Sequence, residues 1–542
     1  MLETTQAHGT STQPLPQLGH RAGLAPALRA GQPAPWTRLA RFLALGTTGP
    51  AYRTAAPEPT DADAELVASC LAADGPRTLD RIVAASKTGR APSNDPALFS
   101  LAVAAKRGDD ATRRAAYAAL PAACPSGAAL LRFTAYAERF GGWGRGMRKA
   151  VGAWFNARPA GDLALQLAQQ PSRDGWSSRD LLRLAHPRAA SPSHDRLYAW
   201  AVRGELPLGA AEDPTCALIA AVHELRRTRD PARVARLVLE HGVPAECVPA
   251  ELRANPEVWD ALVSSLPLPA LLGDLAAMTR AGLLAPGSRT ARWIAARLAD
   301  RRRLAEAGVH PLELLAGLCA YRTGRGARGQ GPWLPVASIA DALDAAFHAS
   351  LAEVAPIGGR TLLALDVSGS MRTGTIAGVP GLTPQLASAA MALAAAASEP
   401  NHACVAFTAA TGGYGGRWGG GAPELSALAI SPRQRLDDVA EAVGQLPMGG
   451  VDCALPVMWA HKHRVDVDTF VVYTDHETWA GDVPPAQALR AYRDARGIPA
   501  KLIVVGMTSN GFALADPDDA GMLDVIGFDP STPPVIADFA RA

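Results

Sequence analysis

The sequence lacks the cysteine pattern and the leader of a secreted protein. Its seven cysteines lie singly along 542 residues, without a C-x-x-C pair or a zinc-type spacing, which indicates buried, reduced thiols. The first residues carry no basic segment followed by an apolar one, so no secretory signal is visible. The longest apolar stretch, around 386–397, is alanine-rich and too short to span a bilayer. We therefore expect a cytoplasmic protein without a membrane partner.

Signatures of catalysis are also missing. The sequence contains no G-x-S-x-G, no H-E-x-x-H and no Cys/His pair with family spacing. It has no G-x-x-x-x-G-K-[ST] loop, and the glycine-rich run 412–421 resembles a phosphate cradle only superficially, so we interpret it as a flexible insertion. A metal-dependent hydrolase would lack a general base near its metal. We predict that the protein is not an enzyme.

Lysine is scarce in the part of the chain that is basic. Residues 1–350 carry 41 Lys and Arg against 31 Asp and Glu, a balance of +10, and only three of those cations are lysines. Residues 351–542 carry 12 against 20, a balance of −8. Arginine-rich basicity suits phosphate binding and base stacking. The alternative is that a high GC content favours arginine codons.

The pattern of apolar residues divides the chain into three parts. Residues 1–34 are rich in Pro, Gly, Gln and Thr without periodicity, which predicts a disordered N-terminal arm. Residues 35–355 repeat apolar positions at helical spacing between short Gly, Pro and Asp breaks, which predicts an all-α array of HEAT-like helix pairs. From 356 to 542, short apolar strands alternate with helices, which predicts a doubly wound, parallel α/β domain.

Oxygen-bearing side chains follow two of the predicted strands. Asp366, Ser368 and Ser370 follow the strand 361–366, and Asp475 ends Phe470-Val-Val-Tyr-Thr-Asp475. Ligands bind at the carboxyl ends of parallel strands, and carboxylates with hydroxyls suit a hard divalent cation, with Mg²⁺ the first choice. The arrangement resembles the metal-ion-dependent adhesion site of von Willebrand factor A domains, which binds a partner carboxylate. A polar turn is the alternative for the first loop alone.

The third loop of that site departs from the pattern. Val451 stands where the A-domain pattern has a threonine hydroxyl, and valine cannot ligate a metal. Three alternatives remain open: water fills the position, Asp452 turns towards the metal, or the metal is weakly bound or absent.

Arginines and aromatic residues cluster in the helical part. Trp143 and Trp176 lie among cations that can bind phosphates, while Trp, His and Arg planes can stack on unpaired bases. The alternative is a solvated basic face with both tryptophans in the core. The predicted RNA-binding residues are Arg139, Arg145, Arg148, Lys149, Gln169, Arg173, Arg179 and His186, with Arg183 on the same predicted helix as His186.

Two further basic segments have weaker signals. The run Arg301-Arg302-Arg303 is interpreted as an exposed helix end. Arg322, Arg325 and Arg328 lie in a glycine-rich loop, where they either reach RNA or supply linker charge.

Several motifs resemble the Ro 60 kDa autoantigen family, in bacterial form, over nearly the whole chain after residue 34. The most specific are Ala500-Lys-Leu-Ile-Val-Val-Gly-Met-Thr-Ser-Asn-Gly-Phe512 and Ala515-Asp-Pro-Asp-Asp-Ala-Gly-Met-Leu-Asp524. Shorter ones are Trp143-Gly-Arg145, Gly175-Trp-Ser177, Asp180-Leu-Leu-Arg-Leu-Ala-His186 and Asp366-Val-Ser-Gly-Ser-Met371.

The resemblance implies a TROVE domain, a HEAT-like toroid closed by the A-type domain. It implies a scaffold that binds small noncoding Y RNAs and the single-stranded 3′ ends of defective or precursor RNAs, and that works with exoribonucleases in maturation, quality control and decay. By matching position, Arg173 and His186 would contact RNA, whereas Gln169 stands where relatives can carry lysine. A closed toroid has no need of self-association, so we expect a monomer. The rival hypothesis is a metal-site interaction module that acts as a co-chaperone of an ATPase without nucleic acid.

Overall fold

The computed structural model describes residues 35–48, 51–53, 58–88, 93–169, 172–253, 255–325, 331–376, 379–408, 424–447, 449–475, 482–508, 514–516 and 518–541. The predicted arm at 1–34, the glycine-rich run 412–421 and Arg328 lie outside these residues. Among the described helices, none combines the length and apolar character needed to cross a bilayer.

The N-terminal part is built almost entirely of helices. Their apolar faces form one continuous core that includes Phe42, Phe99, Trp154 and Phe347. Pro35–Leu45 is α1, and α2 to α19 follow it at Asp61–Ala73, Gly75–Thr88, Asp95–Arg107, Asp110–Ala123, Gly127–Phe140, Arg145–Asn156, Ala160–Gln169, Ser178–Ala185, Pro192–Arg203, Ala217–Leu225, Pro231–His241, Ala250–Arg253, Pro256–Val263, Leu268–Arg280, Arg289–Ala299, Arg301–Ala307, Pro311–Arg322 and Ala337–Ser350.

The helices pack as two layers, as in a repeat array. In the first half, α2, α4 and α6 pack on one another in one layer, and α3, α5, α7 and α9 follow one another in the second. Helix–helix contacts continue from α8 through α11, α12 and α14 to α15, α18 and α19. The prediction of an all-α HEAT-like array is confirmed.

Three short strands interrupt the helical part, where the sequence predicted none. Ala51–Arg53 is β1, which follows α1. Ser172–Arg173 (β2) and Trp176–Ser177 (β3) form a two-stranded antiparallel hairpin between α8 and α9.

The C-terminal part is the predicted α/β domain. Its strands are β4 (Thr361–Asp366), β5 (His402–Thr408), β6 (Glu424–Leu428), β7 (Thr469–Thr474), β8 (Lys501–Gly506) and β9 (Met522–Ile526). Its helices are α20 (Pro384–Ser398), α21 (Leu436–Gly444), α22 (Leu455–His463), α23 (Pro485–Arg496) and α24 (Thr532–Arg541). The strands lie in the order β1-β9-β8-β7-β4-β5-β6, parallel except for β6.

The first helix and strand of the chain join the last strand of the sheet. β1 extends the sheet by parallel pairing with β9, with Ala51 opposite Asp524 and Arg53 opposite Ile526. Arg41 of α1 donates from Nη2 to the carbonyl oxygen of Met522 at 3.1 Å. Asp524 is fully buried, and its charge interacts with the Arg41 guanidinium.

The other end of the helical array also contacts the α/β domain. Arg435, which precedes α21, pairs with Asp344 of α19 at 2.9 Å. The buried Glu399, at the end of α20, accepts hydrogen bonds from the backbone N–H groups of Ile357 and Gly358 in the connecting segment. Both ends of the array therefore contact the α/β domain, which closes the helical array.

Candidate functional site

The predicted metal loop lies at the carboxyl edge of the sheet. β4 ends at Asp366, and Asp475 directly follows β7, the strand that pairs with β4. One Asp366 oxygen accepts from the backbone N–H of Ser368 at 2.7 Å, and the other accepts from the Thr474 hydroxyl at 2.7 Å. The hydroxyl oxygens of Ser368 and Ser370 lie 3.0 Å apart. The structure thus brings the two serines and Asp366 together, beside the strand that ends in Asp475.

The electrostatics of this edge suit a cation. Asp366 and Asp475 are each only 1% exposed. Burial raises the pKa of Asp366 to about 6, and the charge of Asp475 adds to the rise. Across the described residues, no three His, Cys, Asp or Glu side chains gather into a group that could hold a metal. The donor set therefore fits a hard cation only if serine hydroxyls and water complete the ligands.

The third loop supplies no hydroxyl at its usual place. Val451 is 1% exposed and packs in the apolar cluster on one face of the sheet, with Ala454 and Val457. Asp452 is also buried, and its Oδ1 accepts from the backbone N–H of Ala454 at 2.9 Å. This hydrogen bond stabilises the turn that leads into α22.

Three cations occupy the first turn of α7. Arg145, Arg148 and Lys149 are exposed, while Met147 and Ala150 on the other side of the helix are buried. Gly144 caps the helix without a side-chain hydrogen bond. Cations at a helix N-terminus oppose the helix dipole, whereas a phosphate there is favoured by the dipole and by the open N–H groups. Their placement is unfavourable for the free helix and favourable for binding an anion.

The hairpin β2–β3, which packs on α6, carries Arg173. Asp174 and Gly175 have φ values of 52° and 80°, the left-handed geometry that a two-residue hairpin turn requires. Arg173 pairs across the hairpin with Trp176, and its exposed side chain reaches Asp174 at 3.4 Å. The Asp-Gly dipeptide explains locally why the chain folds back here.

Trp143 and Trp176 are neither fully exposed for base stacking nor fully buried in the core. Trp143 and Trp176 contact each other with ring centroids 5.6 Å apart, and both are half-buried against the core. The indole N–H of Trp176 donates to Glu138 at 3.2 Å. Trp143 shortly precedes α7 and Trp176 shortly precedes α9, so their contact brings the starts of these two helices together.

Helix α9 carries the remaining predicted contacts. Ser177 and Asp180 form a capping box at its start, and Arg179 and Arg183 are exposed along it. The sequence placed His186 on the same helical face as Arg183, but α9 ends at Ala185 and His186 caps it in a left-handed conformation, φ 45°. His186 is exposed at the opposite end of α9 from the hairpin.

Two predicted residues are placed differently from the rest. Arg139 donates to the carbonyl of Pro59 at 2.9 Å, pairs with Asp61 at 3.5 Å and lies over the ring of Phe99. Much of its bonding capacity is therefore used within the fold. Gln169 is the half-buried last residue of α8.

Arg132 is a positioning residue that the sequence analysis missed. From α6 it pairs with Glu58, with Asp95 at 3.3 Å and with Asp174 of the hairpin turn at 3.3 Å. It thus fixes the turn that carries Arg173. The sequence around Arg132 does not indicate this role, because its partners Asp95 and Glu58 lie 37 and 74 residues away in the sequence.

The chain matches family models over both parts. Residues 34–204 and 231–319 match the TROVE domain, and residues 360–540 match the Ro60 vWA domain. It is 40% identical to the RNA-binding protein RO60 of Deinococcus radiodurans, over 93% of this chain and 92% of that protein. It is 29% identical to the RNA-binding protein RO60 of Caenorhabditis elegans, over 93% of this chain and 87% of that protein.

A solved structure supports the same assignment. The crystal structure of the Deinococcus radiodurans RO (RSR) protein superposes with a TM-score of 0.85 at 39% identity, and the match covers 94% of this chain and 99% of that one. With both domains matched in order and a relative at this identity over almost the whole length, the chain belongs to the Ro60 family.

Proposed function

We propose that this protein is an RNA-binding scaffold whose basic helical part carries the RNA. The observation that supports it most directly is the group of exposed cations at the start of α7. Arg145, Arg148 and Lys149 have no ion-pair partner among the described residues. The relatives that share the whole architecture are named as RNA-binding proteins.

Binding would rely chiefly on phosphates. The α7 N-terminus offers open N–H groups with three cations, and α9 adds Arg179 and Arg183 in a neighbouring row. The third turn of α7 approaches the residue after His186, since a Cβ on Gly152 would lie 3.2 Å from Pro187. α7 and α9 therefore run side by side in the same direction, which suits a track for one nucleic-acid backbone.

The finer assignments follow from this one. We propose small noncoding Y RNAs and the single-stranded 3′ ends of misfolded or precursor RNAs as ligands, exoribonucleases as partners, a cytoplasmic location, and a monomer. We propose no catalytic activity. A divalent cation held by Asp366, Ser368, Ser370 and Asp475 would offer an open coordination position to a carboxylate of a partner protein.

The test is the salt dependence of binding to a stem-loop RNA with a single-stranded 3′ tail. The triple variant Arg145→Gln, Arg148→Gln, Lys149→Gln should reduce the slope of log K against log salt by about 2 to 3, roughly one per lost phosphate contact. The matched control replaces three exposed arginines that are already paired with carboxylates, Arg113, Arg302 and Arg541. Equal slopes in both triple variants would contradict the proposal.

A second comparison tests the single-strand assignment. Arg173→Ala with His186→Ala should weaken binding of the tail while leaving the thermal transition unchanged, because both side chains are exposed. Unaltered tail binding would remove these two residues from the site.

The co-chaperone hypothesis has a cheap discriminating observation. It accounts for the metal loop but not for the +10 balance of residues 1–350, and the named relatives do not favour it. An RNA scaffold should copurify with RNA and raise the ratio of absorbance at 260 nm to that at 280 nm, whereas a co-chaperone should not.

A further inference from the structure

Helix α16 exposes a tryptophan between arginines, far along the array from α7 and α9. Arg289, Arg292 and Trp293 are exposed, with Ala296 one turn further on the same face. These positions follow the i, i+3, i+4, i+7 spacing of one helical face. The opposite face, with Ala291, Ile294 and Leu298, is buried, and α16 packs on α19.

The positive charge of this face is not compensated. The sequence of α16 contains no Asp or Glu. Arg292 donates to the carbonyl of Gly287 at 2.8 Å, and no carboxylate partner of Arg289 or Arg292 occurs among the described residues. The next helix differs, because Arg302 pairs with Glu306 and Arg303 pairs with Asp300.

The indole ring of Trp293 contacts Arg297, which lies one turn further along α16. The guanidinium of Arg297 lies over its ring at 5.3 Å from the centroid. Arg297 is itself anchored, since its Nη2 donates to the carbonyl of Leu266 at 2.7 Å. Trp293 is nevertheless 36% exposed, whereas Trp154, Trp200 and Trp259 of the same array are at most 4% exposed.

We propose that this α16 face is a second RNA-contact surface, on which an unpaired base stacks on Trp293 while Arg289 and Arg292 bind the flanking phosphates. A fixed aromatic plane with cations beside it is the arrangement that single-stranded nucleic acid requires. The small Ala296 leaves room beside the ring. The surface rests on the proposed RNA function, and it adds a contact with single strands that is separate from the α7–α9 cations.

The experiment compares a single-stranded oligonucleotide with a duplex of the same length. Trp293→Ala should weaken single-strand binding by about tenfold and leave duplex binding unchanged, because a base in a duplex has no free face. Trp293→Phe keeps an aromatic plane and should retain most of the affinity. Arg289→Gln with Arg292→Gln should lower the salt slope for both ligands by about 1 to 2.

Photocrosslinking of the same single strand, substituted with 5-bromouridine, locates the contact. The proposal predicts crosslinked peptides from 289–299. Crosslinks confined to 139–186, or equal single-strand affinity for the Ala and Phe variants, would overturn the α16 surface but leave the proposed function standing. Failure of the unaltered protein to bind either RNA would instead overturn the proposed function.

Discussion

Removing the Arg41 side chain should open the junction between the first helix and the last strand. Arg41 meets three groups of the α/β domain: the Met522 carbonyl at 3.1 Å, the Phe539 ring at 5.9 Å and the charge of Asp524. Asp524 is fully buried and accepts from the N–H groups of Leu514 at 2.7 Å and Ala515 at 2.9 Å.

The magnitude follows from what Arg41→Ala would leave behind. Arg41→Ala removes a charge-assisted hydrogen bond to the Met522 carbonyl, a kind worth about 1.5 to 3 kcal/mol, and the cation–π contact with Phe539. Arg41 is only half-buried and two N–H groups still bind Asp524, so we expect about 2 to 3 kcal/mol. Asp524→Asn in the same chain should recover part of this loss, since it removes a buried charge that no longer faces the Arg41 guanidinium.

Hydrogen exchange measures this local opening directly. The amides of 522–526 and of Leu514 and Ala515 should exchange about 30- to 100-fold faster in Arg41→Ala, while those of β4 and β7 keep their protection. Arg38→Ala, one turn earlier on the same helix, makes the same charge change and serves as control. If Arg41→Ala exchanges like Arg38→Ala at 522–526, Arg41 does not hold the junction.

Three further predictions concern a buried histidine, the metal loop and the hairpin. Burial lowers the pKa of His310 to about 4, and its Nδ1 accepts from the N–H of Leu312 at 3.1 Å. As the pH falls, this histidine is therefore protonated in the unfolded chain before it is protonated in the folded protein. The free energy of unfolding should fall by up to about 3 kcal/mol between about pH 6.5 and pH 4. In denaturant titrations, His310→Asn should not show this loss. Val451→Thr would add the missing hydroxyl, so Mg²⁺ should raise its melting temperature more than that of the unaltered protein, and equal shifts would argue against a cation there. Gly175→Ala places a side chain at φ 80°, so it should lower the free energy of unfolding by about 1 kcal/mol in thermal unfolding. An unchanged transition would show that the turn relaxes to accept alanine.

Most helices could be predicted because their signals are local. The range Gly127–Phe140 matches its apolar periodicity, with Ser126 accepting from Ala129 at the start and a glycine pair at the end. The helix Gly75–Thr88 is harder to predict, because Gly-Pro directly after α2 resembles a break between helices. In the structure the chain starts a new helix at once, with Asp74 accepting from the N–H of Arg77 at 3.0 Å.

The last strand, β9, is hard to predict from the sequence for a tertiary reason. Met522–Ile526 has an aspartate at its centre, which disguises an otherwise apolar run. Arg41, 483 residues earlier, and two loop amides are among the groups that stabilise the buried charge of Asp524. No window of sequence contains both partners.

The candidate site divides in the same way. The metal loop could be predicted because Asp366, Ser368 and Ser370 are adjacent in the sequence and follow a strand. Which arginines keep a free charge could not be predicted, since Arg139 is engaged by Pro59 and Asp61 from an earlier segment.

The pairing of Ala51–Arg53 with Met522–Ile526 also sets an order of events during synthesis. The segment that seals the sheet leaves the ribosome more than 450 residues before the edge it must meet. β1 can therefore join the sheet only after β9 has been synthesised. A product truncated before residue 522 lacks β9, so the edge of β8 stays open to strands of other chains, which makes that product a target for aggregation or proteolysis.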